Sequence, residues 1–443
     1  MKEKIKIGVV PLVRSTYDVK EGNRIYTAQI KRIRNMQDVD WVAFEKGIED
    51  ENEFPDVLKT LYGVDGVILV SNTFHLGTFV PKLLSEFPNI PILIWALPEP
   101  AYNGGRIRIN SLVGAHLDGS NIYKMGHDNF EFFYGTMEEY HFSEKLNQWL
   151  DALRIVKKWK NAKIGLIGAH AKSFFNIDVY EPALYSDIGG EIEYVSLESV
   201  FNSRIEEELI DKEAEEIRKI YSFGENMDEA RLKKVAKLSL TFEKMVNDSK
   251  FDAMAIRCWP EFTSVYGISP CAAMSKFMVK HIPIACEGDI EGSLGMMAYK
   301  SIGCNEVFLA DVSQIIDEND LLLWHCGVAP YNTWDGKSEK TLDTYFANGH
   351  GVTVGFVLKT GPVTIMRVDY ARGKWRIFLQ EGEVVPMEKE LKGTYAKVKV
   401  KSSIDVVEKL IKNGFAHHIV LGYGNYSEVI KELAKIKNWE VVE

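Results

Sequence analysis

The sequence contains few cysteines and no long apolar run, and both absences restrict the class of protein. The five cysteines are odd in number, and no two have the Cys-x-x-Cys spacing, so we expect neither a disulfide framework nor a structural zinc site. No apolar run reaches the roughly 18 residues of a membrane-spanning helix. The chain opens on a strand pattern without a signal peptide, which predicts a cytoplasmic protein with reduced thiols and no membrane partner.

The sequence also lacks an excess of basic residues. It has 53 Lys and Arg against 63 Asp and Glu, a formal net charge of −10, which argues against a nucleic-acid partner. The first strand pattern carries no Gly-x-Gly-x-x-Gly, so a dinucleotide cofactor is not supported. A chain of 443 residues is too long for one core, and two or three domains are therefore expected.

Residues 1–158 and 159–306 are each predicted to form an α/β domain. In both regions short, nearly continuous apolar strands alternate with amphipathic helices, a pattern typical of a doubly wound, Rossmann-like parallel sheet. The aromatic run Phe130–Tyr134 is interpreted as core or subunit interface. The second region closes on the strand Ile282-Pro-Ile-Ala-Cys286, which is followed directly by Glu287. Ligands of open α/β sheets collect beyond the carboxyl ends of the strands, and Glu287 is therefore well placed for function.

Residues 307–443 show a different pattern, in which strand candidates follow one another with turns between them. This favours a C-terminal domain with an antiparallel, β-barrel-like sheet. Near its end, two adjacent histidines, His417 and His418, precede the apolar run Ile-Val-Leu. Asp311 and His325 lie about a hundred residues upstream. Carboxylates and histidines gathered in this way are the ligand types of a catalytic divalent metal.

Four segments resemble the L-fucose isomerase and L-arabinose isomerase superfamily, in the order of that superfamily. They are Ala285-Cys-Glu-Gly-Asp-Ile-Glu-Gly292, Val307-Phe-Leu-Ala-Asp311, Asn319-Asp-Leu-Leu-Leu-Trp-His-Cys326 and Gly414-Phe-Ala-His-His-Ile-Val-Leu421. The resemblance implies an aldose–ketose isomerase that acts on a free sugar such as L-fucose, L-arabinose or a related aldose. It implies that Glu287, Asp311 and His418 bind the metal, with His325 as a fourth ligand or an orienting residue. A homo-oligomer, hexamer or trimer, is implied by the resemblance alone.

The chemistry of such a reaction explains the need for these residue types. Isomerisation moves a proton between adjacent carbons, and it requires a Lewis acid on the sugar oxygens together with groups that act as both acid and base. Our hypothesis is that Glu287 and Asp311 bind the metal and that one or both shuttle the proton through a cis-enediol. Oxygen and imidazole ligands suit Mn²⁺, with Mg²⁺ or Co²⁺ as substitutes.

Three further residues are candidate sugar contacts. His116, in Val113-Gly-Ala-His116, resembles a histidine near bound sugar in the arabinose isomerases; the alternative is an ordinary polar loop histidine. Arg257 and Trp259 follow an apolar strand; an arginine there could bind hydroxyls or a phosphate and a tryptophan could stack on a sugar, but a structural ion pair and a packed aromatic fit as well. Asp289 is interpreted as a helix cap or as a partner of a metal ligand.

Two functions other than isomerisation stay open from the sequence. One is a non-catalytic sugar-binding or sensing protein, because two α/β domains also describe periplasmic-type binding modules. That alternative predicts no cluster of acids and histidines. The other is a metal-dependent aldolase or epimerase, since its enediolate chemistry shares the early steps of isomerisation.

Overall fold

The structure is a computed structural model that describes residues 2–127 and 129–443. The chain divides into two compact units, one made of 158–428 and 439–443 and the other of 2–157 and 429–438. The division into three domains at residues 158 and 306 stays a prediction. Among the described residues, no helix combines the length and the apolar character that a membrane span requires.

The first half of the α/β pattern forms one parallel sheet. Its strands are β1 (Ile5–Leu12), β2 (Val39–Ala43), β3 (Gly66–Ser71), β4 (Ile92–Ala96) and β5 (Phe130–Tyr134). The helices that alternate with them are α1 (Val19–Ile33), α2 (Phe54–Thr60), α3 (Phe79–Glu86), α4 (Ser111–Lys124) and α5 (Tyr140–Trp159). The strand order is β2-β1-β3-β4-β5, and every pairing is parallel. The aromatic run Phe130–Tyr134 is thus the edge strand β5, with a partly exposed face.

A second parallel sheet follows, in the order β10-β9-β6-β7. The strands of this region are β6 (Lys163–Ile167), β7 (Glu191–Val195), β8 (Ser222–Phe223), β9 (Ala253–Ile256) and β10 (Ile284–Ala285). Its helices are α6 (Glu181–Ala183), α7 (Leu197–Phe201), α8 (Glu207–Ile220), α9 (Glu229–Ser249), α10 (Cys271–Lys280) and α11 (Ile290–Ser301). The parallel sheets expected from the sequence are therefore present in both regions.

The C-terminal region forms a large mixed sheet. Its strands are β11 (Val307–Ile315), β12 (Asp320–His325), β13 (Thr341–Phe346), β14 (Gly351–Val357), β15 (Gly361–Ala371), β16 (Lys374–Val385), β17 (Thr394–Lys399), β18 (His418–Tyr423) and β19 (Glu440–Val442). Its helices are α12 (Ser403–Lys412) and α13 (Ser427–Lys437). With β8, these strands are ordered β19-β16-β15-β18-β11-β12-β17-β14-β13-β8.

The expectation of an antiparallel sheet is confirmed only in part in this region. Most pairings are antiparallel, but β8 with β13, β14 with β17 and β16 with β19 are parallel. The sheet is mixed because β8 comes from the preceding α/β region and β19 returns to the sheet after helix α13. Strand β16 also pairs with β17, and the barrel-like closure stays a prediction.

Helix α11 connects the second parallel sheet to the mixed sheet. It packs against β9 and β10 on one side and against β11, β15 and β18 on the other. Every residue of the helix except Lys300 is buried, which is typical of a helix enclosed by core on all sides. The turn between β10 and α11 is therefore fixed by packing against both the second parallel sheet and the mixed sheet.

This turn requires a glycine at position 288. Gly288 has a φ of 81°, and a Cβ there would lie 2.4 Å from the carbonyl oxygen of Ala169 and 2.5 Å from Cα of His170. Both obstacles are backbone atoms, which cannot rotate away. Gly336 has a similar φ of 78°, but a Cβ at that position would meet no neighbouring atom within 4 Å, so it offers a matched control.

We predict that Gly288→Ala is more destabilising than Gly336→Ala. The left-handed backbone alone should cost about 1–2 kcal/mol at either position, and overpacking should add about 1–3 kcal/mol at Gly288. The free energy of unfolding in urea, measured for both variants and the parent protein, tests this. Equal losses for the two variants would contradict the role given to the Ala169–His170 backbone.

Candidate active site

Glu287 lies in the turn at the carboxyl end of β10. Its backbone adopts φ 62° and ψ 9°, a left-handed conformation that is uncommon for a residue with a side chain. The backbone N–H of Ala171 donates to the carbonyl of Glu287 at 2.7 Å, which helps to hold the turn. The Glu287 side chain is 15% exposed, so its carboxylate lies mostly within the protein and reaches solvent on one side.

The register of the mixed sheet brings Asp311 opposite His418. Strands β11 and β18 are antiparallel, and Asp311 is the direct partner of His418 in their ladder. Nε2 of His418 lies 3.8 Å from Oδ1 of Asp311 and 3.5 Å from Oε2 of Glu287. Nε2 of His418 is therefore within 4 Å of the glutamate that follows one sheet and of the aspartate in the other.

Asp289 orients the His418 imidazole. Nδ1 of His418 donates to Oδ2 of Asp289 at 2.9 Å, which leaves the lone pair of Nε2 pointing toward Glu287 and Asp311. Nε2 is buried and has no hydrogen-bond partner among the described residues. A histidine held by a carboxylate on one nitrogen and free on the other is the arrangement found in metal-binding histidines.

Asp289 is itself fixed by a buried charge network. Its carboxylate accepts from the backbone N–H of Gly292 at 2.8 Å, so it caps helix α11, and it also accepts from the guanidinium of Arg367 on β15. Burial would raise the pKa of Asp289, but the charge of Arg367 and the hydrogen bond from His418 outweigh burial and hold this pKa well below its usual range. Asp289 is therefore a capping residue and a partner of His418, as its position in the sequence indicated.

Arg367 also contacts a second carboxyl group. Its Nη2 lies 3.1 Å from Oε2 of Glu291, whose Oε1 accepts from the backbone N–H of Tyr370 at 3.0 Å. Burial raises the pKa of Glu291 to about 8 despite the neighbouring guanidinium. The Arg367 charge is thus directed mainly at Asp289, the residue that holds His418.

His325 lies at the end of β12, beside His418. The two imidazole rings stack with centroids 5.4 Å apart, and Nε2 of His325 is buried without a hydrogen-bond partner among the described residues. Burial is the main cause that lowers the pKa of His325. The backbone N–H of Cys326 lies 2.9 Å from its Nδ1, a contact that His418 does not share. His325 is therefore next to the candidate centre, but its orientation differs from that of His418.

His417 also lies beside Glu287, which the sequence did not predict. An extended chain would point His417 away from His418, but the chain bends at His417 and β18 begins only at the next residue. Asn176 donates to Nδ1 of His417 at 3.0 Å, and Nε2 of His417 lies 3.2 Å from Oε2 of Glu287. With Asn176 as donor, Nε2 carries the proton and donates to Glu287.

The neighbouring imidazoles change the pKa of the Glu287 carboxylate. Burial alone would raise its pKa, but the hydrogen bond from His417 and the nearby rings of His418 and His325 lower it on balance. The same contact with Glu287 raises the pKa of His417 against the opposing effect of burial. The two groups therefore stabilise each other's charged forms.

The donor atoms present fit a divalent metal. The ligand atoms of Glu287, His417 and His418 all lie within 4.8 Å of one another, but both ring nitrogens of His417 are engaged by Asn176 and Glu287, so His417 is not counted among the ligands. Oδ1 of Asp311 and Nε2 of His325 and His418 are buried and lack hydrogen-bond partners among the described residues. Unpartnered buried polar atoms are costly unless something binds them, and mixed carboxylate and imidazole donors suit a divalent transition metal or Mg²⁺.

An aromatic wall lies beside Glu287. Phe174 contacts both Trp259 and His417, with ring centroids 5.8 Å and 5.2 Å away. Arg257, at the end of β9, forms an ion pair of 2.7 Å with Glu261, while its Nε is buried without a partner among the described residues. Phe174 was not expected from the sequence. Arg257 has the ion pair that one interpretation of this segment predicted, and its role in sugar binding stays a prediction.

His116 lies in the other compact unit, on helix α4, where its side chain is exposed. The alternative of a loop histidine is wrong in its placement, because His116 belongs to a helix; its exposure is consistent with an ordinary surface histidine or a contact with a small molecule. The proposed sugar contact therefore stays a prediction from the resemblance.

Comparisons with known proteins agree with this cluster of acids and histidines. Residues 323–443 match the family model "L-fucose isomerase, C-terminal domain", a range that includes His325, Arg367 and His418. The sulfoquinovose isomerase of Priestia megaterium is 29% identical in an alignment that covers 97% of this chain and 97% of that protein. The sulfoquinovose isomerase of Alkalicoccus urumqiensis is 27% identical, over 86% of each chain.

Solved structures add little to these matches. The glucose-galactose binding protein GanP of Geobacillus stearothermophilus is 15% identical and covers 69% of this chain and 90% of its own, but the TM-score is 0.15, too low to support a conclusion. The sequence matches, in contrast, extend over nearly the whole chain. They agree with the resemblance carried by the sequence segments: the chain is an isomerase, and its residues 323–443 match the C-terminal domain of the L-fucose isomerases.

Proposed function

We propose that this isomerase is metal-dependent and converts an aldose into the corresponding 2-ketose, with sulfoquinovose as its substrate. The observation that carries the proposal is the set of buried, unpartnered ligand atoms on Asp311, His325 and His418 beside the Glu287 carboxylate. Buried polar atoms without partners in the described chain are typical of a place where an ion, a water or a substrate oxygen binds, and the proposal assigns these three to a metal.

Glu287, Asp311 and His418 would hold the metal, and Mn²⁺ is preferred over Mg²⁺ or Co²⁺ because the set combines oxygen and imidazole donors. His325 is a fourth ligand or a donor to a sugar oxygen. The bound ion would polarise the sugar oxygens and so acidify the C–H bond at C2. Asp289 keeps Nε2 of His418 unprotonated by accepting the proton of Nδ1.

The proton transfer is assigned to the two acidic residues. Glu287 or Asp311 removes the proton from C2 while the carbonyl oxygen O1 takes up a proton, which gives the cis-enediol. The same group then returns the proton to C1, and the hydroxyl on C2 gives up its proton to become the ketose carbonyl. Each carboxyl must act as base in one direction and as acid in the other, because the reaction is reversible. His417 donates to Oε2 of Glu287 and so fixes the direction of its remaining lone pairs.

The choice of sugar rests on the relatives. Proteins named sulfoquinovose isomerase match 86–97% of this chain. Sulfoquinovose carries an anionic sulfonate on C6, which requires a cationic partner in a site that excludes water. We assign this role to Arg257, whose Nε is not used within the described part of the chain. Trp259 and Phe174 would pack against the apolar face of the sugar. The cytoplasmic location and the homo-oligomer stay predictions.

The first prediction from the proposed function concerns the isomerisation itself and Glu287 as its general base. Metal-stripped protein should show no turnover, and restored Mn²⁺ should give ketose from sulfoquinovose together with exchange of the C2 hydrogen in deuterated water. Glu287→Gln should lower kcat by about 10²–10⁴-fold, the usual contribution of a general base. Product analysis by NMR measures both effects, and the panel should include L-fucose and L-arabinose.

A glutamate outside the site provides the control for Glu287. Glu381 is exposed on β16, and Glu381→Gln should leave kcat within twofold of the parent value. Near-normal isomerisation by Glu287→Gln would refute the assignment of the base. Mn²⁺-dependent turnover of L-fucose or L-arabinose without turnover of sulfoquinovose would support the metal-dependent isomerase but refute sulfoquinovose as its substrate.

A second prediction concerns Asp289. Asp289→Asn should weaken Mn²⁺ binding by about 10–100-fold, the usual effect of removing the partner of a ligating histidine. Calorimetric titration with Mn²⁺ measures the affinity, and circular dichroism verifies the fold. Glu291→Gln is the matched control, because Glu291 also contacts Arg367 but does not contact His418. Equal loss of affinity in both variants would assign the effect to the Arg367 network and not to the orientation of His418.

A third prediction concerns Arg257. Arg257→Gln should raise KM for sulfoquinovose by about tenfold or more, the cost of losing a charged hydrogen bond, with a smaller effect on kcat. Inhibition by uncharged aldoses should change less than twofold. Arg218→Gln, which removes another ion-paired arginine on α8, should leave KM unchanged. An unchanged KM in Arg257→Gln would show that a residue other than Arg257 binds the sulfonate.

A further inference from the structure

Arg376 binds the backbone of the turn that leads from helix α12 to the two adjacent histidines. Helix α12 ends at Lys412, with Asn413 as its C-cap, and β18 begins only at His418. The last carbonyls of an α-helix have no partner within the helix and must be satisfied from outside. The carbonyl of Asn413 accepts from Nη1 of Arg376 at 2.6 Å, and that of Gly414 accepts from Nη2 at 3.1 Å. One side chain therefore binds both the end of the helix and the residue after it.

The guanidinium of Arg376 is itself fixed by two further contacts. Arg376 on β16 is the direct partner of Asp369 on β15 in their antiparallel ladder, and its Nε and Nη2 donate to Oδ2 of Asp369 at 2.8 Å and 2.7 Å. The guanidinium also lies over the ring of Phe415, 4.1 Å from the centroid, and Phe415 packs against Phe378 of β16. The side chains of Arg376 and Asp369 are 14% and 7% exposed, so water competes little for these contacts.

This anchored turn lies just before two groups of the candidate site. Between Gly414 and His417 lie only Phe415 and Ala416. The ladder of β18 with β11 begins at His418, so the ladder supports segment 415–417 at one end and Arg376 supports it at the other. The planar guanidinium suits this role because it presents several N–H donors in a fixed fork, and here the fork reaches a carboxylate and two carbonyls at once.

We propose that Arg376 is a positioning residue of the isomerase, which fixes the turn before His417 and so holds the imidazoles of His417 and His418 beside Glu287. The inference rests on the proposed function, in which His418 binds the metal and His417 donates to Glu287. Asp289 orients the ring of His418 from its Nδ1, whereas Arg376 fixes the backbone from which that ring projects. Arg376 contacts neither metal nor sugar in this scheme, and it acts through the two carbonyls.

The test compares Arg376→Gln with the parent protein in three measurements. Mn²⁺ affinity, measured by calorimetric titration, should fall by about tenfold, the lower end of the usual effect of residues that orient metal ligands. At saturating Mn²⁺, kcat should fall by a similar factor, while KM stays within twofold because the sugar contacts assigned to Arg257 and Trp259 are unchanged. In the metal-free protein, the imidazole NMR signals of His417 and His418 should shift at fixed pH.

Arg154→Gln is the matched control, because Arg154 has the same kinds of contact in the other compact unit. Its Nη1 donates to Asp151 at 3.2 Å, and its Nη2 donates to the carbonyls of Gln37 and Asp38 at 3.4 Å and 3.2 Å. Both variants should lower the melting temperature, since each removes a charged donor from a carboxylate and from two carbonyls. Only Arg376→Gln should change the Mn²⁺ affinity, kcat and the histidine signals.

The outcomes separate positioning from general stability and from the proposed function. Equal losses of Mn²⁺ affinity in both variants, or histidine signals that do not move in Arg376→Gln, would overturn the proposal. Signals that move while affinity and kcat stay at the parent values would overturn it as well. If the parent protein neither binds Mn²⁺ nor isomerises a sugar, the proposed function fails, and the histidine signals still decide whether Arg376 holds the turn. Arg376→Lys, which keeps a charge beside Asp369 but lacks the fork, replaces Arg376→Gln if the glutamine variant does not fold.

Discussion

The buried carboxylate of Asp289 connects the core of the larger unit to its candidate site. A charge without solvent is tolerated only where other groups satisfy it, and three groups do so here: the N-terminus of α11, the guanidinium of Arg367 and the imidazole of His418. These donors come from a helix and from two strands of the mixed sheet. Removing any one of them leaves charge uncompensated, so the position of His418 and the packing of α11 depend on the same oxygen atoms.

Two different structural rules bring the reactive groups together. Glu287 follows the carboxyl end of a strand in a parallel sheet, the edge at which ligands bind in other open α/β folds. Asp311 and His418 are delivered by the register of an antiparallel ladder, in which directly opposite residues share a face. A one-residue slip of β18 against β11 would turn His418 to the other face. The site therefore requires both sheets to form correctly and α11 to hold them together.

The sequence predicted some of these features because they are local. The strands of the parallel sheets are nearly continuous apolar runs, and Glu287 follows one of them, so its place at the sheet edge could be predicted directly. The edge strand β5 and the short strand β8 carry no such run and were missed. The pairing of Asp311 with His418 joins residues more than a hundred positions apart, and only the family resemblance indicated it.

Contacts that depend on loop conformation could not be predicted. The bend at His417 interrupts the alternation of side-chain direction that was assumed for a strand. The neighbouring residues give no signal that predicts this bend. Asn176 and Phe174 reach His417 from a segment more than two hundred residues away. Arg367 was not among the residues indicated by the sequence analysis. Its buried contacts with Asp289 and Glu291 follow from the packing of α11 against β15.

The burial of α11 also limits how proteins of this kind can diverge. Every residue of the helix except Lys300 lies in the core, and a substitution there disturbs two sheets at once. Sequence change that leaves this core intact is therefore easier in the segments after the parallel strands, where the proposed sugar contacts lie. Those segments carry Phe174, Arg257 and Trp259, which lie at the surface of the site and not beneath it. New specificities should arise there, while the segment from Glu287 through α11 changes little.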